Sequence, residues 1–162
     1  MVILCQLKEL GLSCFGCCNT EDYNKKKIMK GIKKNTYEFN KSKSLRLFMS
    51  RTKKLRPSGI CANIVFKDGK FFCPGHPELH NGNDYRELDK DCERDAYDGC
   101  KVFMLFQKWD KEKQEQFIGL IKSKNLDSYT YSIRMNNNSL LKEFEKRLKN
   151  SGERTFSGIQ CG

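Results

Sequence analysis

Three cysteines stand close together near the N-terminus, in the segment Cys14-Phe-Gly-Cys17-Cys18. Two thiolates separated by two residues can bind one metal, because the turn between them directs both sulfur atoms toward one point. Gly16 favours that turn, since glycine adopts a positive φ without steric cost. Cys18 is adjacent to Cys17, so we expect its side chain to point elsewhere, toward a second metal or another cluster edge. The segment therefore predicts part of a metal site, formed by Cys14, Cys17 and Cys18.

The rest of such a site has to come from distant parts of the chain. Zinc takes four ligands in structural sites, and a cubane iron–sulfur cluster takes four thiolates. Further ligands are predicted among four of the nine cysteines: Cys61, Cys73, Cys92 and Cys100. None of them forms a second CxxC pair, which argues against a zinc ribbon or a RING domain. His76 and His80 are four residues apart, but prolines flank His76, and both are expected to be surface histidines.

The two remaining cysteines, Cys5 and Cys161, have less defined roles. Cys5 fits the apolar face of an N-terminal helix, and Cys161 is a lid-like ligand, a resolving thiol or inert. The odd number of cysteines and the adjacent pair Cys17 and Cys18 disfavour a disulfide framework. The N-terminus lacks the features of a signal peptide, and no apolar run approaches the roughly 20 residues that span a bilayer. The sequence therefore predicts a cytoplasmic protein without a membrane segment.

The chain carries a formal charge of +11, from 31 Lys and Arg against 20 Asp and Glu. Such a surplus attracts nucleic acid, acidic proteins and other polyanions. The positive residues are spread along the chain, however, with the densest groups at 25–27, 33–34 and 51–56. Scattered lysines are typical of a solvated surface. Binding of nucleic acid or of an acidic partner is therefore the alternative hypothesis, and metal binding is the first.

The hydrophobic pattern predicts an α+β protein that is mostly helical and is organised around the metal centre. A single domain is expected over residues 1–151, followed by a flexible tail over 152–162. Asp68-Gly69 between two apolar runs predicts a small central β-hairpin, with strands over 60–66 and 70–73. Helices are predicted over 3–12, from Thr20 to about Lys34, over 37–50, from near Asp95, after Asp110 and from Asn138 or Ser139. Residues 129–135 fit either a strand or a short helix.

The cysteine pattern resembles the CxxCxxCC family, described as zinc- or iron-chelating proteins. The resemblance covers about residues 11–106, where Cys14, Cys17, Cys18, Cys61 and Cys73 match the family's cysteine positions, while Cys92 and Cys100 match by rank order. Gly11 stands where the family has its first cysteine, and Pro-Gly-His-Pro-Glu follows Cys73 in place of an Arg-Pro run. The resemblance implies a divergent member that chelates zinc or iron. Some relatives resemble cluster-containing lysine methylases of flagellin, but the catalytic part of such an enzyme has no counterpart here.

Three functional hypotheses follow from these residues. The first is a cysteine-ligated metalloprotein that binds an iron–sulfur cluster, 4Fe-4S first, or zinc, with a redox, cluster-dependent enzymatic or cluster-handling role. The second is a zinc-stabilised basic module that binds nucleic acid or a protein partner. The third is thiol-redox or thiol-transfer chemistry at Cys17 and Cys18 or at Cys161. Walker, GxGxxG, HExxH and GxSxG motifs are all absent from the sequence, so no reaction is assigned.

Overall fold

Six α-helices and two antiparallel two-stranded sheets make up the computed structural model, which describes residues 3–18, 23–51, 55–89 and 100–150. This confirms the α+β class. The elements are β1 (Gln6–Leu7), β2 (Leu12–Ser13), α1 (Lys25–Lys41), α2 (Leu45–Met49), β3 (Val65–Lys67), β4 (Lys70–Phe72), α3 (Lys101–Lys108), α4 (Lys111–Ser123), α5 (Ser128–Asn136) and α6 (Ser139–Asn150). Cys92, Cys161, Thr20 and the predicted tail lie outside the described residues.

The N-terminal segment forms a hairpin, and the helix predicted over 3–12 is wrong. Strand β1 pairs with β2, and a single 3-10 turn, Lys8–Leu10, connects them. Gly11 closes this turn with a φ of 64°, a conformation that glycine adopts freely. The Gln6 side chain donates to the Phe71 carbonyl at 2.9 Å. This contact with a distant strand favours the extended conformation over the helix that the local spacing of leucines suggested.

Helix α1 begins later and ends later than predicted. Asn24 caps it by accepting a hydrogen bond from the Lys27 amide at 3.1 Å, and the helix continues to Lys41. The helical pattern over 37–50 is therefore divided, because its first part belongs to α1 and its last part forms α2 behind the Ser44 cap. Ile28 and Ile32 are fully buried on one face of α1.

The central hairpin is confirmed, with strands shorter than predicted. Val65 pairs with Phe72 and Lys67 with Lys70, around a turn in which Asp68 and Gly69 both have positive φ. Both turn residues thus adopt the conformation that Asp-Gly favours in two-residue hairpin loops.

The C-terminal helices agree closely with their predicted starts. Asp110 caps α4, whose buried residues include Phe117, and α6 begins at Ser139. The ambiguous segment 129–135 lies in α5, which is capped by Asp127. Helix α3 begins at Lys101, with Cys100 in the N-cap position, and therefore later than the start predicted near Asp95.

Three clusters of buried side chains stabilise this arrangement. The first joins the N-terminal hairpin to α3–α6, the second lies between α1 and the segments around Ile60 and Phe71, and the third surrounds Phe48. Cys14 and Cys100 pack against the first cluster, whereas Cys18 and Cys61 pack against the second. The cysteines thus lie where two cores meet. Among the described residues, no helix is both long and apolar enough to cross a bilayer.

Candidate thiol site

The loop that carries the N-terminal cysteines is held against α5 by hydrogen bonds. The Phe15 amide donates to Ser132 Oγ at 3.1 Å, and the Asn136 side chain donates to the Gly16 carbonyl at 2.7 Å. Phe15 is fully buried in the second core cluster. The loop then turns into a short 3-10 helix, Gly16–Cys18, which presents Cys17 to solvent. Helix α5 therefore fixes the backbone from which these thiols project.

Gly16 is required by this close approach, and the positive φ expected for it is not observed. A Cβ atom at this position would lie 2.7 Å from the Ser132 carbonyl oxygen and 3.2 Å from the Asn136 amide nitrogen. Both atoms belong to the backbone of α5, so they cannot turn aside as a flexible side chain would. Glycine thus allows the cysteine loop to pack directly on the helix.

Cys17 and Cys18 lie side by side, with their sulfur atoms 3.7 Å apart. The expectation that Cys18 points away from its neighbour is therefore wrong. The Cys18 thiol also lies close enough to Cys61 for each to shift the pKa of the other, although 43 positions separate the two residues. The Cys61 amide donates to the Cys18 carbonyl at 2.8 Å, which aligns the two backbone segments. Three thiols from two distant segments thus adjoin one another.

Two of the sulfur atoms accept hydrogen bonds from backbone amides two residues further along the chain. The Gly16 amide lies 3.2 Å from Cys14 Sγ, and the Asn63 amide lies 3.4 Å from Cys61 Sγ. Such donors stabilise a thiolate over a thiol, and hydrogen bonds of this kind tune the sulfur ligands of metal centres. Each of these amides therefore favours the thiolate of the cysteine that it contacts, against the opposing effect of burial.

A buried polar network holds the Cys61 loop in place. The Asn35 side chain donates to the Cys61 carbonyl at 2.9 Å and accepts a hydrogen bond from Arg56. Arg56 and Arg51 both form ion pairs with Glu38, and Arg51 also donates to the Ala62 carbonyl at 2.7 Å. We call these four residues, Asn35, Glu38, Arg51 and Arg56, the Cys61 clamp.

Cys5, Cys14 and Cys100 extend the group of thiols. The Cys14 amide donates to the Cys5 carbonyl at 3.0 Å across the N-terminal hairpin. The pKa of Cys14 is raised well above its ordinary value, first by burial and then by the negative charges of Cys5, Cys17 and Cys100. Tyr131 lies beside the same three thiols, Cys5, Cys14 and Cys100, and its hydroxyl donates to the Leu4 carbonyl at 2.8 Å. We call the six cysteines 5, 14, 17, 18, 61 and 100 the thiol patch.

The proton affinities within the patch differ because hydrogen bonds connect its members. The pKa of Cys17 is lowered to about 7, chiefly by the hydrogen bond from Cys18 and further by the positive charge of Arg86. A separate contact with Cys18 likewise lowers the pKa of Cys61. The pKa of Cys18 is raised well above its ordinary value. The contacts with the Cys17 and Cys61 thiols are the first cause, and burial, which disfavours the charged form, is the next. Cys18 thus holds its proton more tightly than Cys17 and Cys61 do.

Two predicted ligands remain: Cys73 is among the described residues, and Cys92 lies outside them. Cys73 follows β4 and is partly buried against the second and third core clusters. It stays a predicted ligand, as does Cys92. The His80 ring shares a hydrogen bond of 2.6 Å with the Pro74 carbonyl and packs against Tyr85, so it is half-buried where a surface position was expected.

The donor chemistry of the patch fits a soft metal, while its geometry supplies one ligand pair. The 3.7 Å between the sulfur atoms of Cys17 and Cys18 matches the edge of a tetrahedron, about 3.8 Å, that Zn–S bonds of about 2.3 Å produce. Within the described ranges, no group of three or more His, Cys, Asp or Glu side chains is arranged around a single point. The described thiols are close neighbours, and a metal would have to draw them together.

Sequence reasoning missed several residues of this site. Cys5 was placed on a helix face, whereas a hairpin with its turn at Lys8–Leu10 sets it opposite Cys14. Arg86 and Asp89 influence Cys17 and Cys61, although they lie in a segment without periodicity that gave no signal. Tyr131 fell in the ambiguous segment.

Comparison with known proteins gives no match of any kind. No family model matches the chain, and neither a curated protein nor a solved structure is similar to it.

Proposed function

We propose that the thiol patch binds a metal centre, an iron–sulfur cluster or a zinc ion, with Cys17, Cys18 and Cys61 as its first ligands. Cys14 and Cys100 are the nearest additional donors. One observation carries the proposal: the sulfur atoms of Cys17 and Cys18 are 3.7 Å apart, and four further cysteines, 5, 14, 61 and 100, lie near enough between two cores for the thiols to shift one another's pKa. Apolar packing alone does not require this, because isolated buried cysteines pack equally well as small hydrophobic residues.

Electrostatics supports a cation at this position. Burial and then neighbouring thiolates raise the pKa of Cys14, while contacts with the Cys17 and Cys61 thiols, burial and the charges of both raise that of Cys18. These two thiols therefore resist ionising without a counter-ion. A bound metal ion reverses this effect, because thiolates ligate it and are deprotonated outright in its presence. The amides that donate to the sulfur atoms of Cys14 and Cys61 stabilise the same charged form.

The chemistry of the centre depends on its identity. An iron–sulfur cluster would supply one-electron transfer or an open iron as Lewis acid, whereas a zinc ion would cross-link the two cores. The chain's own residues position the ligands in either case, through α5 for the Cys14–Cys18 loop and the Cys61 clamp for the other. The resemblance to the CxxCxxCC family supports the same proposal, with Cys73 and Cys92 as further candidate ligands. We infer a cytoplasmic location, since clustered cysteines that bind a metal are typical of a reducing compartment.

The test is anaerobic purification of the full chain, followed by iron, sulfide and zinc analysis and an absorption spectrum. A brown protein with iron and sulfide in equal amounts would identify a cluster, and a colourless protein with stoichiometric zinc would identify a zinc site. Protein that contains neither metal, and binds neither when supplied with them under reducing conditions, would overturn the proposal.

Single substitutions then identify the ligands. We expect Cys17→Ser, Cys18→Ser and Cys61→Ser each to lower the metal content, because serine keeps the size of cysteine but is a poor ligand for these metals. Met29→Leu is the matched control, since Met29 packs on the same core cluster as Cys18 and Cys61 but carries no thiol. Unchanged metal content in all three serine variants would contradict the assignment.

A further inference from the structure

Helix α1 presents a row of positive side chains on the face opposite its buried residues. Lys26, Lys30 and Lys33 are spaced so that they lie on one face together with Tyr37. All three lysines are exposed, and Tyr37 exposes 64% of its surface. We call these four residues the lysine row.

The row has no internal counter-charge. The one acidic residue of α1 is Glu38, and both Arg51 and Arg56 pair with it. Within the described part of the chain, none of the three row lysines forms an ion pair. Lysines three and four residues apart repel one another on a helix and destabilise it. A bound polyanion would relieve this repulsion.

The tip of the central hairpin continues the positive surface beside α1. The Phe66 amide donates to Thr36 Oγ1 at 2.9 Å, which fixes β3 along the helix. Lys67 and Lys70 lie directly opposite each other at the tip, and both are exposed. Like charges directly opposite each other destabilise a strand pair, so this second site also favours an anionic partner.

Exposed aromatic rings indicate which polyanion fits. The Tyr37 ring stands within the row, with Lys41 Nζ at 5.9 Å from its centroid, and Phe66 beside the helix is 37% exposed. Aromatic rings among cations are typical of surfaces that bind single-stranded nucleic acid, because unpaired bases stack on the rings while lysines contact phosphates. A membrane surface fits less well, because the apolar face of α1, with Ile28 and Ile32, is already buried in the protein.

We propose that the lysine row, together with the hairpin tip at Lys67 and Lys70, binds single-stranded nucleic acid. The row shares no residue with the thiol patch, so this activity is independent of the proposed metal centre. The Lys26, Lys30 and Lys33 ammonium groups contact phosphates, and the Tyr37 ring stacks on a base.

The experiment measures fluorescence anisotropy of labelled oligo(dT) and oligo(U), each about 20 nucleotides long, with the full chain over a range of salt concentrations. The triple variant Lys26→Gln, Lys30→Gln, Lys33→Gln should bind about tenfold more weakly, and its log–log salt slope should be smaller by about 2. The matched control is Lys142→Gln, Lys146→Gln, Lys149→Gln on α6, which removes the same charge from exposed positions elsewhere. We expect the control to bind like the native protein.

Tyr37 separates base stacking from general attraction to anions. Tyr37→Ala should weaken binding about tenfold, while Tyr37→Phe, which keeps the ring, should leave it unchanged. The proposal would be overturned if the two lysine triples weakened binding equally, or if Tyr37→Ala had no effect. It would also be overturned if polyglutamate or anionic vesicles bound as tightly as the oligonucleotides. Absence of measurable binding by the native chain would overturn it as well.

Discussion

The thiol of Cys18 lies beside those of Cys17 and Cys61. These contacts lower the pKa of Cys17 and Cys61 and raise that of Cys18. Cys17 is the exposed member of this group, and the Arg86 charge favours its thiolate further. In the absence of metal, Cys17 is therefore the thiol that ionises near neutral pH.

We predict that Cys17 of the metal-free, reduced protein is alkylated with a midpoint near pH 7, since the thiolate is the nucleophile. Cys18→Ala removes the main cause of the lowered pKa, so the midpoint should move upward. Peptide mapping by mass spectrometry after timed iodoacetamide treatment measures the rate at Cys17 alone. Met29→Leu should leave the midpoint unchanged, and an unchanged midpoint in Cys18→Ala would contradict the assigned hydrogen bond.

Gly16 gives a second prediction at the scale of one residue. Gly16→Ala places a methyl group against backbone atoms of α5, so we expect it to destabilise the protein by about 2 kcal/mol and to lower metal content. Gly119→Ala is the control, because its Cβ meets no atom within 4 Å and alanine favours a helix, by up to about 1 kcal/mol. Urea unfolding and metal analysis measure both effects. Equal stability of the two variants would show that the loop does not pack closely on α5.

At the scale of elements, α1 is connected to the Cys61 loop by the Cys61 clamp. Arg56 exposes only 3% of its side chain, and Glu38 compensates its charge. Burial raises the pKa of Glu38, but the hydrogen bond from Arg56 and the charges of Arg56 and Arg51 lower it overall. A carboxylate with a lowered pKa in the folded state stabilises the protein above its unfolded pKa. This contribution is lost as the pH falls through the folded pKa.

We therefore predict that Glu38→Gln destabilises the protein by about 2 to 3 kcal/mol at neutral pH, because it leaves Arg56 buried without its partner. The difference from the native protein should shrink in acid, where Glu38 is itself protonated. Glu145→Gln, at an exposed position of α6, should change stability by less than about 0.5 kcal/mol. Urea unfolding at several pH values measures these differences, and a loss of stability that does not depend on pH would contradict the ion-pair explanation.

Elements with strong local signals could be predicted, and those set by distant contacts could not. Helices α4 and α6 have capping positions and regular apolar spacing, and Asp68-Gly69 determines the central turn by its own conformational preference. The N-terminal hairpin has leucines at helical spacing, but its conformation depends on the Phe71 carbonyl and on Tyr131, far along the chain. Similarly, the predicted helix ended at about Lys34, whereas α1 continues through Asn35, whose side chain bonds to the Cys61 loop.

For the molecule as a whole, the thiol patch lies between the first and second core clusters. A metal that joins Cys18 to Cys61 would close a loop of about 40 residues, which restricts the unfolded chain as a cross-link does. It would also hold together two cores that otherwise meet through side-chain packing and hydrogen bonds. Metal binding and global stability are therefore expected to be coupled.

We predict that supplying zinc to the reduced, metal-free protein at 100 times its dissociation constant raises stability by about 2.7 kcal/mol. For a chain of this length, this corresponds to a rise in Tm of about 5 to 10 °C. The affinity should increase with pH, because Cys14 and Cys18 hold their protons tightly and must release them to ligate. Calorimetry with a competing chelator measures both, and Cys61→Ser should reduce the shift. A Tm unaffected by metal would contradict the coupling.

The sequence identified the chemistry of the candidate site better than its geometry. Cys14, Cys17, Cys18, Cys61 and Cys100 were all predicted ligands, and all five lie in the thiol patch. Their mutual distances depend on how α5 holds the Cys14–Cys18 loop and how the Cys61 clamp holds the Cys61 loop. The spacing of cysteines along the sequence does not indicate these positions. Cys5 was missed for this reason, because its position opposite Cys14 exists only in the hairpin.

The seating of the cysteine loop on α5 has a consequence for the newly made protein. During synthesis, Cys14, Cys17 and Cys18 leave the ribosome more than 100 residues before Ser132 and Asn136, which hold their loop. At elongation rates of about 5 to 20 residues per second, these thiols spend several seconds undocked. Loading of the metal would then be among the last steps of maturation, and a chain released before α5 is complete would expose reactive thiols to oxidation.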